Sequence, residues 1–171
     1  MTRCVWDDLV GQRRATAHLR RAVETGAVSH AYLFVGPTGS GKKSAARALA
    51  CSIFCDDGGC GSCHACRRVQ AFTHPDLHVL SPEGVADYLI EQIRGVIHDV
   101  HLKPIEASHK VYVLDDVGRL SGEAANAFLK TLEEPPGDVV IVLIADDYDD
   151  VLPTIASRCQ VVRFSPVPTS T

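Results

Sequence analysis

Along this 171-residue chain, stretches in which apolar residues return every third or fourth position alternate with short runs that are apolar throughout. Within Arg13–Glu24, Ala15, Leu19, Ala22 and Val23 follow the first pattern, which predicts an amphipathic helix stopped near Gly26. Residues 30–35 form a short apolar run closed by glycine and read as a buried strand. The alanine-rich stretch Lys42–Phe54 reads as a second helix, followed by a glycine- and cysteine-rich stretch that reads as irregular. A strand is expected over residues 78–80, after the turn residues His74, Pro75 and Asp76. Residues 85–102 carry Leu89, Ile90, Ile93, Val96, Ile97 and Val100 as one helical stripe. Lys110–Leu114 reads as a strand ending in two aspartates. Ser121, Glu123 and Ala124 open a helix that runs to about Glu133 and is stopped by Pro135 and Pro136. The run over residues 139–144 is continuous and apolar, as buried parallel strands are. A short helix over 151–157 and a strand over 160–164 complete the pattern. Five strands alternating with helices predict an α/β fold, a parallel sheet covered on both faces.

Composition supports a packed core and narrows the setting. Hydrophobic residues make up 46% and charged residues 22%, which excludes disorder, collagen-like repeats and a coiled coil. The longest apolar run, 139–145, falls far short of the roughly 20 residues a membrane span needs, so no membrane contact is expected. The first eight residues turn acidic at Asp7 and Asp8, where a signal peptide would become apolar, which predicts a cytoplasmic chain. The formal net charge is -4, whereas proteins that grip nucleic acid alone over a broad surface are usually basic. Any DNA contact is therefore local or made within a larger assembly.

Gly36, Pro37, Thr38, Gly39, Ser40, Gly41 and Lys42 match the first seven positions of the phosphate-binding loop, between a predicted strand and a predicted helix. Glycines let backbone N–H groups wrap a polyphosphate, the helix N-terminus adds partial positive charge, and Lys42 reaches the outer phosphates. The motif then requires Ser or Thr, whose hydroxyl binds magnesium. This chain has Lys43, an ammonium that repels a cation. Ser44 comes one residue late, about 100° around the helix. Asp115 supplies a magnesium-side carboxylate, but Asp116 stands where a longer glutamate would orient the attacking water. Gly36, Thr38, Gly39, Gly41, Lys42, Lys43 and Asp115 are thus the candidate nucleotide-site residues. ATP or ADP binding is open, and hydrolysis is not expected.

Of the seven cysteines, Cys4, Cys51 and Cys159 are scattered, while Cys55, Cys60, Cys63 and Cys66 fall within twelve residues. In a reducing compartment this clustering argues for metal rather than disulfides. Four thiolates at short spacing suit tetrahedral zinc in a structural role. Cys51 could replace Cys55, although it lies mid-helix, and His64 sits between two better ligands.

Together these pieces resemble the clamp-loader branch of the AAA+ ATPases. The likeness runs through Val10, Gly11 and Gln12, then His30, Ala31 and Tyr32, the phosphate loop, the cysteine knuckle, Asp115 with Asp116, residues 126–136, and Ser157, Arg158 and Cys159. It implies a three-layer P-loop NTPase core with a five-stranded parallel sheet, an inserted zinc module at about 55–70, and a domain over residues 1–165. Residues 166–171 would then be a truncated linker toward a lid and collar. Within that branch the chain is similar to the delta-prime group, because the hydrolysing gamma/tau group has an intact Lys-Thr/Ser pair and an Asp-Glu pair.

The resemblance implies a subunit that lacks polymerase and ATPase activity of its own. Its Arg158 would act in trans as an arginine finger on a neighbour's ATP. The implied partners are gamma/tau and delta subunits, the sliding clamp, and primed DNA through the assembled complex. Active relatives place a polar phosphate sensor where this chain has Ala145, followed by the acidic residues Asp146, Asp147, Asp149 and Asp150. Asn126 and Lys130 share a helix face that in the family meets subunits or DNA; Glu133 and Glu134 read as a helix end. A working gamma/tau-type ATPase that tolerates Lys43, and a zinc-stabilised interaction domain with a relic loop, are the alternatives.

Overall fold

A computed structural model describes residues 4–168. Among them, five strands form one sheet: β1 (Ala31–Val35), β2 (Leu77–Leu80), β3 (Lys110–Leu114), β4 (Val139–Ala145) and β5 (Gln160–Arg163). The order is β2-β3-β4-β1-β5 and every neighbouring pair is parallel. Tyr32 stands level with Val142 of β4, and Tyr112 of β3 level with Ile141. Six α-helices among the described residues cover the sheet: α1 (Arg13–Glu24), α2 (Lys42–Phe54), α3 (His64–Gln70), α4 (Ile90–Asp99), α5 (Gly122–Glu133) and α6 (Pro153–Ala156).

β1 and β4 are apolar at every position because both of their faces are buried. Tyr32 and Phe34 enter the core shared with α1, α2 and α3. Leu33 and Val35, one position out of phase, enter the core shared with α4, α5 and α6. The sheet's C-terminal edge, where the loops after β1, β3 and β4 meet, carries the candidate site.

Three predicted segments differ. The helix expected over 85–102 begins only at Ile90, and residues 81–89 bend. Arg119 takes the carbonyls that a helix would use, its Nη2 donating to Gly84 and Val85 at 3.1 Å each and its Nε to Ala86 at 2.5 Å. Gln92 Oε1 accepts the N–H groups of Leu89 and Glu83 at 3.0 Å each, which closes the helix N-terminus. Leu89, counted in the apolar stripe, is exposed. The cysteine-rich stretch is not irregular throughout, because Cys63 caps α3 by accepting the Cys66 N–H on its sulfur at 3.4 Å. The helix expected over 151–157 contracts to Pro153–Ala156, and single 3-10 turns appear at Val5–Asp8, Val117–Arg119 and Tyr148–Asp150. Of the tail expected to be a linker, residues 169–171 lie outside the described residues, as do residues 1–3.

The turn before β2 is held by Asp76, which is fully buried. Its carboxylate accepts the N–H groups of Ile105 (2.6 Å), Glu106 (2.8 Å) and Ala107 (2.7 Å). Burial opposes ionisation, yet the three amides outweigh it and hold the carboxyl below its ordinary value. His74 stacks on Phe54 at 4.3 Å and accepts the Asp76 N–H on Nδ1, a packing role in keeping with its turn position. A depressed carboxyl stabilises the fold above its unfolded value, and that contribution is lost as pH falls through the folded one. Asp76→Ala is therefore expected to cost about 3 kcal/mol at neutral pH by removing the acceptor of three amides. In urea unfolding the deficit should begin to shrink below about pH 4, where the carboxyl of the unfolded chain takes up a proton, and vanish once pH has fallen through the lower value of the folded one.

Candidate functional site

β1 delivers the chain into the phosphate loop. Gly39 and Gly41 occupy the left-handed region, at φ 81° and 95°, which side chains with a Cβ adopt only under strain. Gly36 lies so near Phe164 that a Cβ there would stand 2.6 Å from the Phe164 carbonyl oxygen. Gln12, buried, braces the loop by donating to the carbonyls of Ser40 (3.0 Å) and Ser165 (2.6 Å).

Lys42 folds back over this cradle. Its Nζ donates to the Gly36 carbonyl and to Asp146 Oδ1 at 2.7 Å, while Thr38 Oγ1 donates to Asp146 Oδ2 at 2.9 Å. The Lys42 hydrogen bond holds the Asp146 carboxyl below its ordinary value. One carboxylate thus receives the two side-chain donors that would face a phosphate. Ala145, at the end of β4, is buried, and the next residue is the one that reaches the loop.

The metal side of the cradle is also filled. Lys43, with 71% of its side chain exposed, places Nζ 2.8 Å from Asp115 Oδ2 at the end of β3. Asp116 sits in the left-handed region at φ 54°, its carboxylate 3.7 Å from Arg119 Nη1. Thr38, Gly39, Lys42, Lys43, Asp115 and Asp146 border a cavity of about 400 Å³.

At the end of α2 the four sulfurs of Cys55, Cys60, Cys63 and Cys66 lie within 4.8 Å of one another. Tetrahedral Zn–S bonds of about 2.3 Å put ligand sulfurs about 3.8 Å apart, so small adjustments close the set. Backbone amides already point at these sulfurs: Cys60 N to Cys55 Sγ (3.5 Å), Ser62 N and Cys63 N to Cys60 Sγ (3.5 and 3.3 Å). The Ser62 N–H and hydroxyl, with the Cys63 N–H, pull the Cys60 thiol down to about 6. Donor type and geometry both fit a metal ion. Cys51 is not in this group; it lies inside α2, buried, and burial pushes its thiol up to about 11. His64 opens α3 and is likewise outside the group.

Arg158 follows α6 and is not among the residues that border the loop cavity. Its Nε donates to Glu133 Oε1 and its Nη1 to the Thr154 carbonyl, each at 2.7 Å. Asn126 and Lys130 are exposed on α5. Sequence reasoning missed two contacts: Glu133 is a partner of Arg158 as well as a helix end, and Asp146, read only as one of an acidic cluster, is a partner of Lys42. Neither has a local signal, since the pairs are separated by 25 and 104 positions.

Residues 11–168 match the family described as "DNA polymerase III, delta subunit". The chain is 39% identical over 159 residues to the DNA polymerase III subunit delta' of Bacillus subtilis (strain 168), covering 91% of this chain and 48% of that protein. It is 37% identical over 163 residues to subunit tau of the same organism, covering 93% and 29%. A solved DNA polymerase III gamma subunit-related protein from Thermotoga maritima aligns with a TM-score of 0.62 and 26% identity, over 90% of this chain and 46% of that one. The chain spans about half the length of the delta' relative.

Proposed function

The chain belongs to the DNA polymerase III delta subunit family, in the clamp-loader branch of the AAA+ proteins, and on that premise we propose that it is the AAA+ domain of a delta-prime subunit. In this reading it serves a neighbour's ATP site and does not hydrolyse ATP itself. Residues 1–165 are the AAA+ domain, and 166–171 lead toward a lid and collar. Gamma/tau and delta subunits are its partners, and it acts in the cytoplasm in loading the sliding clamp onto primed DNA. Among the described residues no helix is long and apolar enough to cross a membrane. The four-cysteine group holds structural zinc, whose chemistry there is to cross-link four thiolates with no open position.

The observation that carries the reading is the 2.8 Å pair between Lys43 and Asp115. In hydrolysing P-loop enzymes the corresponding hydroxyl and carboxylate hold magnesium. Here one side chain is a cation and already neutralises the other, so a divalent ion would have to break an ion pair and sit beside an ammonium. Asp146 adds a second obstacle by neutralising Lys42. Arg158 retains what a finger in trans needs: a planar, permanently charged fork, about a third exposed, that can transfer from one carboxylate to phosphate oxygens.

Two titrations test this site. Magnesium is expected to leave any ATP affinity of the wild type unchanged or weaker, whereas Lys43→Thr should make binding magnesium-dependent. A tenfold gain in wild-type affinity on adding magnesium would reverse the assignment in favour of a gamma/tau-type ATPase.

A further inference from the structure

α1 buries Ala15, Leu19 and Ala22 and turns Arg13, Arg14, Ala17, His18, Arg20 and Arg21 to solvent. On a helix surface the four nearest neighbours of a residue stand three and four positions before and after it. For Ala17 all four are arginines: Arg13, Arg14, Arg20 and Arg21. Four of the chain's 17 lysines and arginines therefore crowd one face of a twelve-residue helix, in a protein whose net charge is -4. The counterweight is slight. Glu24 lies 4.0 Å from Arg20 Nε, and among the described residues Arg13, Arg14 and Arg21 have no acidic partner. Gathering like charges on one face works against the helix, so a general basic composition does not account for the pattern.

We infer that this face of α1 binds the phosphate backbone of duplex DNA. All four cations are arginines, whose forks take phosphate oxygens in pairs where lysine offers a point charge. Arg13 and Arg20, like Arg14 and Arg21, stand seven residues apart, about 10.5 Å along the axis, a span that takes in more than one phosphate and is too long for one small anion. The face offers no large apolar side chain around which a protein–protein contact could centre. Ala17 leaves the middle of the quartet open to a close approach. None of the four arginines borders the loop cavity, so the inference stands apart from the nucleotide site and from Arg158.

Fluorescence anisotropy with a labelled mixed-sequence duplex of about 20 base pairs tests it across a salt series. Binding should be sequence-independent and fall with salt at a log–log slope of about -3 to -4, near 0.9 per phosphate neutralised. Arg14→Ala with Arg21→Ala should weaken binding about tenfold near 50 mM salt and reduce the slope by about 2. Both positions are exposed and alanine is a strong helix former, so circular dichroism should show an unchanged fold. No binding at the lowest salt, or equal binding by the double variant, would overturn the inference. Equal or tighter capture of polyglutamate or of phosphatidylserine vesicles, lost in the same double variant, would also overturn it by assigning the face to an acidic protein or a membrane.

Discussion

Arg158→Ala is expected to remove the stimulation that the proposed delta-prime role would give to the ATPase of a gamma/tau partner, a loss of about 10³ to 10⁵ in turnover. The size follows from what a finger does. Negative charge spreads over the transferring phosphoryl group, and a guanidinium held against it acts where water is excluded. Arg158→Lys should rescue little, because an ammonium cannot bridge two phosphate oxygens in one plane. The loss should fall on turnover rather than on complex formation. Thermal melting of the variant should be nearly that of wild type, since the Glu133 contact it gives up is a surface pair worth about 1 kcal/mol or less. Equal stimulation by wild type and variant would leave the protein a zinc-stabilised interaction domain.

Removing the metal from the cysteine knuckle should have the second largest effect. Cys55, Cys60, Cys63 and Cys66 come from the end of α2, the following loop and the start of α3, so an ion held by all four would fix α3 against α2. Cys66 and Val69 are fully buried in the core under that side of the sheet. Releasing α3 exposes both, at about 1.5–3 kcal/mol for a side chain of Val69's kind. A total near 4 kcal/mol corresponds to a fall in melting temperature of about 12 °C for a domain of this size. Chelation and Cys66→Ser should each produce it, and elemental analysis should find one zinc per chain. Less than half an equivalent, with melting indifferent to chelator, would remove zinc from the account.

The parts legible in the sequence were those decided by neighbours along the chain. β1 and β4 could be read because burial on both faces leaves no polar position, and the phosphate loop because its glycines serve backbone geometry. Lys43 could be read as a departure from the hydrolysing pattern and Asp115 as its magnesium-side carboxylate, but not as each other's partner. The choice between Cys51 and Cys55 could not be made from spacing. The predicted helix over Lys42–Phe54 favoured Cys55, and in the structure α2 does end at Phe54, with Cys55 extended at φ -99° and ψ 128° while Cys51 stays inside the helix. Residues 85–89 looked helical because Leu89 continues the helical stripe of the residues that follow. Arg119, more than thirty positions away, supplies the donors that unwind them. Asp146 and Glu133 belong to the same class, as long-range partners whose own neighbourhoods suggest only an acidic turn and a helix end.

Steady-state ATP hydrolysis by the protein alone, at saturating ATP with and without magnesium, probes most directly whether Lys43 has displaced the metal. The expected outcome is no turnover above background in either condition, and none gained or lost in Lys42→Ala. Magnesium-dependent turnover that disappears in Lys42→Ala would contradict it, because it would mean a divalent ion still finds its place beside Asp115.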